Sequence, residues 1–339
     1  MIAPSWRALA RASTAPPGGP AHCAAQRQTG RHWLTPPRGR ALLTAPMTAP
    51  VALVTAQPAR ALDVDMPLLT DALARRGVPH EVVVWDDPAV DWHQFRSIVV
   101  RSTWDYAARR GSFLAWAGRA ATAAPLHNPL TVLRWTTDKR YLADLEAAGV
   151  PVVSSRWCLP GAQPEFPDRP FVVKPSVGAG SVGAACFAIG EHEAAAAHVA
   201  RLHAAGHVAL VQPYLAAVEQ VGETALVFFA GIFSHALRKA AILVPGLHMV
   251  EDLFAAEQIC AATPTAAEQA VAQAALAAVP RRGPLLYARV DLLRDDAGEP
   301  RVLELELCEP SVFLAHAEGS ADRFAAAIEA LRPAPRTRP

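Results

Sequence analysis

The stretch that decides the fold is Phe171-Val-Val-Lys-Pro-Ser-Val-Gly-Ala-Gly-Ser-Val-Gly183. It predicts a short buried strand that ends in Lys174 and leads into a loop with three glycines. Small residues let backbone N–H groups approach phosphate oxygens, and the lysine supplies a compact positive charge. The stretch is not a P-loop, because no Gly-Lys-Ser/Thr follows the glycines, and a dinucleotide fingerprint would need a helix where we predict another strand. On its own, such a hairpin is more often structural than phosphate-binding.

Acidic residues near the C-terminal end give a second candidate site. Asp291 lies within one predicted strand, and Glu304 and Glu306 lie two apart in the next, so these two share a face. If the strands pair across the turn at residues 295–298, the three carboxylates converge and favour a divalent cation such as Mg²⁺, which also binds phosphates. The alternative is a solvated polar face with the intervening leucines in the core, which is the default for an alternating Glu-Leu pattern.

Lysine is rare in this chain. Of the 32 basic residues only three are lysines, namely Lys139, Lys174 and Lys239, and the rest are arginines. A compact ammonium and a planar guanidinium suit different anion geometries. The three lysines are therefore the first candidates for chemistry, and Arg238 beside Lys239 places two cations at the end of a predicted strand.

Strands and helices alternate in the first half of the chain. Predicted strands at 51–55, 80–85 and 97–101 alternate with helices at 65–76 and 112–123, which indicates an α/β unit with a parallel sheet. The rest is mixed α+β. Its predicted strands are 150–154, 171–174, 185–189, 208–212, 223–229, 232–238, 285–294 and 301–307, and its predicted helices are 137–148, 191–204, 250–262, 264–279 and 321–331.

The first 46 residues differ from the rest, because they contain six arginines and no acidic residue. We interpret them as a disordered extension or a mis-assigned start, with Met47 as the natural first residue; the alternative is an Arg-rich targeting peptide. The predicted organisation is then 1–46 extension, 47–128 N-terminal α/β domain, 129–212 central subdomain with the Gly-rich loop, 213–332 C-terminal subdomain with the metal site, and 333–339 tail.

Composition excludes several classes of function. After residue 46 the chain has 26 basic and 31 acidic residues, so we expect no nucleic-acid partner. No apolar stretch approaches the roughly 20 residues of a membrane span, so we expect a soluble, cytoplasmic protein. The five cysteines have neither paired nor metal-ligand spacing and indicate buried thiols in a reducing compartment.

The order of these features resembles the ATP-grasp superfamily over residues 50–332. A lysine precedes the domain, the Gly-rich loop follows a strand lysine, Val211-Gln-Pro-Tyr-Leu215 has the place of the hinge, and an Arg-Lys pair and the acidic residues follow. Four segments resemble the group containing the O-ureidoserine cyclo-ligase of cycloserine biosynthesis, which is distantly similar to glutathione synthetase. They are Arg101-Ser-Thr-Trp-Asp-Tyr106, Asn128-Pro-Leu130, Arg134-Trp-Thr-Thr-Asp-Lys-Arg-Tyr-Leu142 and Phe233-Ser-His-Ala-Leu-Arg-Lys239.

The resemblance implies a fold and a role for each matching residue. The fold is an N-terminal Rossmann-like domain with two α+β subdomains that enclose ATP. Lys139 and Lys174 would contact phosphates, with Lys174 also near the adenine, under a lid formed by Gly178, Gly180, Ser181 and Gly183. Gln212, Tyr214 and Leu215 would hold the adenine edge, and Glu219 or Glu223 the ribose.

Arg238 and Lys239 would stabilise the transferring phosphoryl group. Asp291, Glu304 and Glu306 would bind one or two Mg²⁺, with Mn²⁺ as an alternative; the superfamily often has Asn at the last of these positions.

The implied reaction is ATP-dependent formation of a C–N bond. A substrate carboxylate attacks the γ-phosphorus to give an acylphosphate, and a nitrogen then displaces phosphate. Such chemistry needs cations and metals more than a nucleophilic side chain, and the substrate would be a small amino-acid-like molecule. The alternatives are an intermolecular ligase of the glutathione-synthetase or peptide-ligating type and a nucleotide-binding module without catalysis. The sequence leaves a homo-oligomer open.

Substrate contacts are expected where the first and third strands end. Asp105 would hold an ammonium group and Arg101 a carboxylate, with Ser102, Asp63 and Asp65 as further candidates. The alternative is that Trp104 and Tyr106 pack a domain interface while Asp105 caps the next helix.

Overall fold

The computed structural model describes residues 49–243, 245, 258–281 and 283–331. The expected extension at 1–46, the tail at 333–339 and most of the helix expected at 250–262 lie outside these residues. No helix in the described part of the chain is long and apolar enough to span a membrane.

The N-terminal unit is built on a parallel four-stranded sheet, as predicted. Its first strand, Val-Ala-Leu-Val-Thr, is buried along its whole length, because helices cover both faces of such a sheet. The sheet order is β2-β1-β3-β4. The elements are β1 (Val51–Thr55), α1 (Asp65–Arg75), β2 (His80–Val84), β3 (Ser97–Ser102), α2 (Arg110–Ala123) and β4 (Leu126–His127).

The helix expected at 137–148 begins later, as α4 (Tyr141–Ala147), and a separate helix, α3 (Leu130–Thr136), precedes it. The chain leaves the helical path between them, where the backbone N–H of Lys139 donates to the carbonyl of Ser176 at 2.7 Å. This contact ties Lys139 to the Gly-rich segment instead of to a helix face.

The central unit contains an antiparallel sheet that carries the Gly-rich loop between two of its strands. The strands β5 (Arg156–Cys158), β6 (Phe171–Pro175), β7 (Ala185–Phe187) and β8 (Ala209–Pro213) are arranged in the order β5-β8-β6-β7, and α5 (His192–Ala204) packs on them. The strand expected at 150–154 is wrong as a sheet member, because among the described residues it pairs only through a bridge between Val152 and Val302.

The C-terminal unit is an antiparallel sheet in the order β11-β10-β9-β12-β13. Residues 259–262, expected to be helical, form its edge strand. One sheet face packs against α7 and the other against α8, and α8 also contacts α1 of the N-terminal unit. The elements are α6 (Ala217–Val221), β9 (Glu223–Phe229), β10 (Ile232–Lys239), β11 (Ile259–Ala262), α7 (Ala266–Ala277), β12 (Tyr287–Arg294), β13 (Pro300–Glu306) and α8 (Ser320–Glu329).

Candidate active site

A cavity of about 410 Å³ lies where the three units meet. It takes its walls from the Gly-rich loop, from the end of β8, from β9, β10, β12 and β13, and from the N-terminal unit. Most of the residues expected in the site line it. They are Asp63, Asp65, Lys139, Lys174, Gly178, Gly180, Ser181, Gln212, Tyr214, Leu215, Glu223, Lys239, Asp291, Glu304 and Glu306.

The expected hairpin of acidic residues is present. In the pairing of β12 with β13, Asp291 lies opposite Glu304, and Arg289 lies opposite Glu306. Because residues two apart on a strand share a face, all four side chains reach the cavity. The hairpin therefore presents three carboxylates and one guanidinium to the same space.

Glu304 pairs with two lysines from other parts of the chain. Lys174 Nζ lies 2.6 Å from Glu304 Oε1, and Lys139 Nζ lies 3.8 Å from Oε2 while donating to the carbonyl of Gly178 at 2.9 Å. Burial alone would raise the pKa of Glu304, but the charges of Lys139 and Lys174 lower it to about 2. The carboxylate is therefore ionised and both lysines point towards the Gly-rich loop and the acidic hairpin.

Arg289 is a buried cation of the cavity that we did not single out from the sequence. Its Nε and Nη2 donate to the Asp291 carboxylate at 2.8–3.1 Å, its Nη1 donates to the carbonyl of Ser311 at 2.8 Å, and Nη2 also bonds Glu306. Burial and the nearby carboxylate of Asp291 raise the pKa of Glu306 even though Arg289 opposes the shift. The sequence spacing could have indicated Arg289, since it lies two residues before Asp291 in the same strand and therefore on the same face.

Lys239 and Arg238 are neighbours in β10 and therefore point to opposite faces of the sheet. Lys239 Nζ lies in the cavity, 2.6 Å from Glu223 and 3.7 Å from Asp291. Arg238 does not line the cavity: it donates to the Thr224 hydroxyl and lies 3.7 Å from Glu268 on the other face. Of the two cations expected to act together, the structure therefore brings Lys239 alone to the cavity.

The segment expected to hold the adenine lies at one end of the cavity. Gln212 is buried and its Nε2 donates to Ser155 Oγ at 2.9 Å, while Tyr214 and Leu215 line the wall. The Tyr214 hydroxyl donates to Glu219 at 2.8 Å. Glu219 is exposed and lies outside the cavity, whereas Glu223 lines it, so the structure favours Glu223 of the two ribose candidates.

The Gly-rich loop forms part of the cavity wall. Gly178, Gly180 and Ser181 line it, whereas Gly183 lies at the base of the loop with φ of +75°, where its carbonyl is 2.9 Å from His198 Nε2. A side chain at Gly183 would be strained by that backbone conformation. The loop thus has a fixed base and a cavity-lining tip.

Three of the expected substrate contacts do not reach the cavity. Arg101 is 2% exposed, donates to the carbonyl of Pro310 at 3.2 Å, and lies 5.6 and 5.2 Å from the ring centres of Tyr287 and Phe324. Ser102 Oγ lies 2.8 Å from Thr55 Oγ1 inside the N-terminal unit. Both belong to a buried strand, and neither lines the cavity where the substrate is expected.

Asp105 is likewise used within the protein. It accepts a hydrogen bond from Trp85 Nε1 at 2.9 Å and forms an ion pair with Arg109. It does not cap α2, whose N-terminus has no side-chain cap. Its neighbours Trp104 and Tyr106 line the cavity instead.

Asp63 and Asp65 both line the cavity but differ in what they bind. Asp65 accepts hydrogen bonds from the backbone N–H groups of Val312, Phe313 and Leu314 at 2.7, 2.9 and 2.6 Å. Asp63 Oδ1 accepts from two backbone N–H groups at the start of α1 at 3.0 and 3.1 Å. The carboxylate of Asp65 is therefore engaged in holding a loop, whereas Asp63 has a second oxygen free of such bonds within the described structure.

The acidic hairpin fits Mg²⁺ that is shared with a nucleotide. In the described part of the chain, no group of three or more His, Cys, Asp or Glu side chains is arranged to hold a metal ion by itself. Mg²⁺ in phosphate-transfer sites typically uses one or two carboxylates and completes its shell with water and phosphate oxygens. Asp291, Glu304 and Glu306 supply hard oxygen ligands of the kind it needs.

Comparison with known proteins gives matches across most of the chain. Residues 51–128 match the family of the N-terminal domain of D-cycloserine synthetase DcsG. The chain is 42% identical over 301 residues to the cycloserine biosynthesis protein DcsG of Streptomyces lavendulae, covering 84% of this chain and 99% of that protein. It is also similar to the crystal structure of D-cycloserine synthetase DcsG, with a TM-score of 0.75, 41% identity, and coverage of 82% and 98%.

A more distant structure shares the architecture alone. D-alanine–D-alanine ligase from Bacillus anthracis, in its complex with ATP, has a TM-score of 0.58 at 14% identity, with coverage of 83% of this chain and 95% of that one. The two proteins therefore share the overall fold.

Proposed function

The chain belongs to the D-cycloserine synthetase family of ATP-grasp ligases, and from this premise we propose that it closes the ring of an O-ureidoserine-like amino acid at the expense of ATP. The predicted ATP-grasp fold is confirmed, and the protein is an ATP-dependent ligase that forms a C–N bond. We propose in addition that it uses Mg²⁺. The observation that carries the proposal is the convergence of three lysines, Arg289 and the acidic hairpin on one cavity beneath the Gly-rich loop.

In this proposal the nucleotide lies between the central and C-terminal sheets. Lys139, Lys174 and backbone N–H groups of the loop at 178–181 bind its phosphates. The segment 212–215 faces the adenine, and Glu223 faces the ribose. These assignments are supported by their common position on the cavity wall.

The first chemical step is attack of the substrate carboxylate on the γ-phosphorus of ATP, which releases ADP and forms an acylphosphate. A nitrogen of the same substrate then attacks the activated carbonyl carbon, loses its proton and displaces phosphate. Lys239 and Arg289 are the cations placed to balance negative charge on the transferring group, since fixed charges in a cavity need little reorganisation during the reaction. Asp291 and Glu306 orient Arg289 through the contacts described above.

Asp291, Glu304 and Glu306 would hold Mg²⁺, which when bound supplies charge neutralisation at the phosphate oxygens. This role is supported by their oxygen chemistry and by their mutual proximity on the hairpin. Release of Glu304 from Lys174 would free one group for the metal and the other for phosphate.

The acylphosphate must be protected from water. Val182 of the Gly-rich loop and Leu62 and Val64 of the N-terminal unit all line the cavity and expose 36, 48 and 73% of their surface. Contact among these apolar side chains when ligands are bound would cover the reacting centre.

The experiment is a turnover assay with purified protein, ATP and Mg²⁺ on a panel of amino acids that includes both enantiomers of O-ureidoserine. Phosphate release and mass spectrometry identify the product. A cyclic product from O-ureidoserine supports the proposal. A linear conjugate of two molecules would instead favour intermolecular ligation, and ATP binding without turnover on the whole panel would favour a binding module.

A further inference from the structure

The segment that follows the acidic hairpin is held by an unbroken series of side-chain donors. Each backbone carbonyl from residue 307 to residue 312 accepts a hydrogen bond from a side chain of another part of the chain. The donors, in order, are Asn128, Tyr287, Trp104, Arg101, Arg289 and His235, at distances of 2.8, 2.8, 2.9, 3.2, 2.8 and 2.8 Å. Asp65 accepts hydrogen bonds from the backbone N–H groups of residues 312–314. A side chain on this segment that binds a ligand is therefore held in place before the ligand arrives.

Glu309 is the acidic residue on this segment, and the reaction outlined above does not use it. It lines the cavity and is only 8% exposed. Its carboxylate lies beside the Tyr106 hydroxyl and the Cys308 thiol, which are both neutral groups. No periodicity singles Glu309 out in the sequence, because it falls outside the alternating pattern of β13.

The carboxylates of the acidic hairpin and of Glu223 are already compensated by cations. Glu304 pairs with Lys174, Glu223 pairs with Lys239, and Asp291 and Glu306 share Arg289. Within the described residues, Glu309 has no lysine or arginine at salt-bridge distance. The Oδ2 atom of Asp63, a residue 93% buried in the same cavity, has no hydrogen-bond donor there either.

A buried carboxylate without a cation is costly unless a ligand supplies the charge. An amino acid whose carboxylate faces Lys239 and Arg289 still carries an ammonium group that must be matched. We propose that Glu309 binds the α-ammonium group of the amino-acid substrate and thereby orients the carboxylate that is phosphorylated. The unmatched oxygen of Asp63 supports this, because a ligand donor in the same cavity could satisfy it.

The inference rests on the proposed function for the choice of substrate, so the test separates the two. Wild type and Glu309→Gln are compared with O-ureidoserine and with its des-amino analogue, in which hydrogen replaces the ammonium group. We expect Glu309→Gln to raise KM for the amino compound about 10- to 100-fold, as for loss of a charge-assisted hydrogen bond, while KM for ATP is unchanged. With the des-amino compound, the two proteins should behave alike.

Matched variants check the interpretation. Glu318→Gln, at an exposed glutamate further along the chain, should match wild type, and Glu309→Asp should restore part of the affinity. An equal loss with both compounds, or no loss with either, overturns the inference. If wild type does not turn over O-ureidoserine, the proposed function fails. Binding of both compounds is then measured by calorimetry in the presence of a non-hydrolysable ATP analogue. If Glu309→Gln prefers the amino compound as strongly as wild type does, the inference is overturned.

Discussion

Lys174 Nζ lies 2.6 Å from Glu304 Oε1, although the two residues belong to different sheets and are 130 residues apart in the chain. The pair joins a cation expected to bind phosphate to a carboxylate expected to bind metal. Each neutralises the other in a largely buried site, where an unpaired charge is unfavourable. When ligands bind, Lys174 would contact the nucleotide phosphate and Glu304 would contact the metal in place of each other. The position of the Lys174 ammonium group should then determine how tightly phosphate is bound.

The substitution Lys174→Arg should be poorly tolerated, even in a chain that otherwise prefers arginine. A planar fork cannot replace a compact ammonium in a site that is 91% buried. We expect kcat/KM for ATP to fall about 100-fold, and Lys174→Ala to lower it further. Steady-state ADP release measures both.

The matched control for that exchange is Arg75→Lys. Arg75 forms an exposed ion pair with Asp322 at 3.0 Å, and neither residue lines the cavity. Exposed pairs contribute little to stability, so this variant should resemble wild type. Equal activity of Lys174→Arg and wild type would contradict the assignment of Lys174 to phosphate.

Arg289 and Arg238 provide a direct comparison of the two sheet faces. Arg289→Lys keeps the charge but removes the fork that spans Asp291 and Glu306, and we expect kcat to fall about 1000-fold, by analogy with loss of a transition-state arginine. Arg238→Lys lies on the other face and should leave kcat close to that of wild type. Single-turnover ADP formation measures the chemical step. A larger loss in Arg238→Lys than in Arg289→Lys would refute the placement of Arg289 at the reacting group.

The part of the site that follows strand periodicity could be predicted from the sequence. Asp291, Glu304 and Glu306 were found because residues two apart share a face and a short turn joins the two strands. The same rule, applied to the neighbours Arg238 and Lys239, separates them onto opposite faces. It also identifies Arg289, two residues before Asp291.

The rest depends on contacts that only the folded chain brings together. Arg101 looks like an anion-binding residue in the sequence, but its strand is wholly buried and its guanidinium reaches Pro310, 209 residues away. Glu309 has no recognisable pattern around it, because the donors that fix its segment come from distant parts of the N-terminal and C-terminal units. Long-range burial and backbone hydrogen bonding decided these roles, and no local periodicity encodes them.

Removal of metal should stop ADP formation, and Glu304→Gln should weaken the response to Mg²⁺. The amide keeps the shape of Glu304 but removes a charged oxygen ligand. We expect at least about a 100-fold loss of kcat at saturating ATP. Activity is measured across a Mg²⁺ titration after treatment with EDTA.

Glu299→Gln is the control for that titration, because Glu299 is an exposed residue of the turn that joins the same two strands. Its Mg²⁺ dependence should match that of wild type. An apparent Mg²⁺ affinity that does not change in Glu304→Gln would argue against metal binding by the hairpin.

Asp65→Asn should destabilise the protein because one carboxylate holds three backbone N–H groups, at 2.7, 2.9 and 2.6 Å. An asparagine side chain has a single acceptor oxygen, and its NH2 group would face backbone N–H groups that now donate to Asp65. We therefore expect a loss of about 2–4 kcal/mol in the free energy of unfolding. Thermal and denaturant unfolding without ligands measure it. Asp71→Asn, at an exposed position of the same helix, should leave stability unchanged. Equal stability of the two variants would show that the contacts of Asp65 do not hold the segment that carries Glu309.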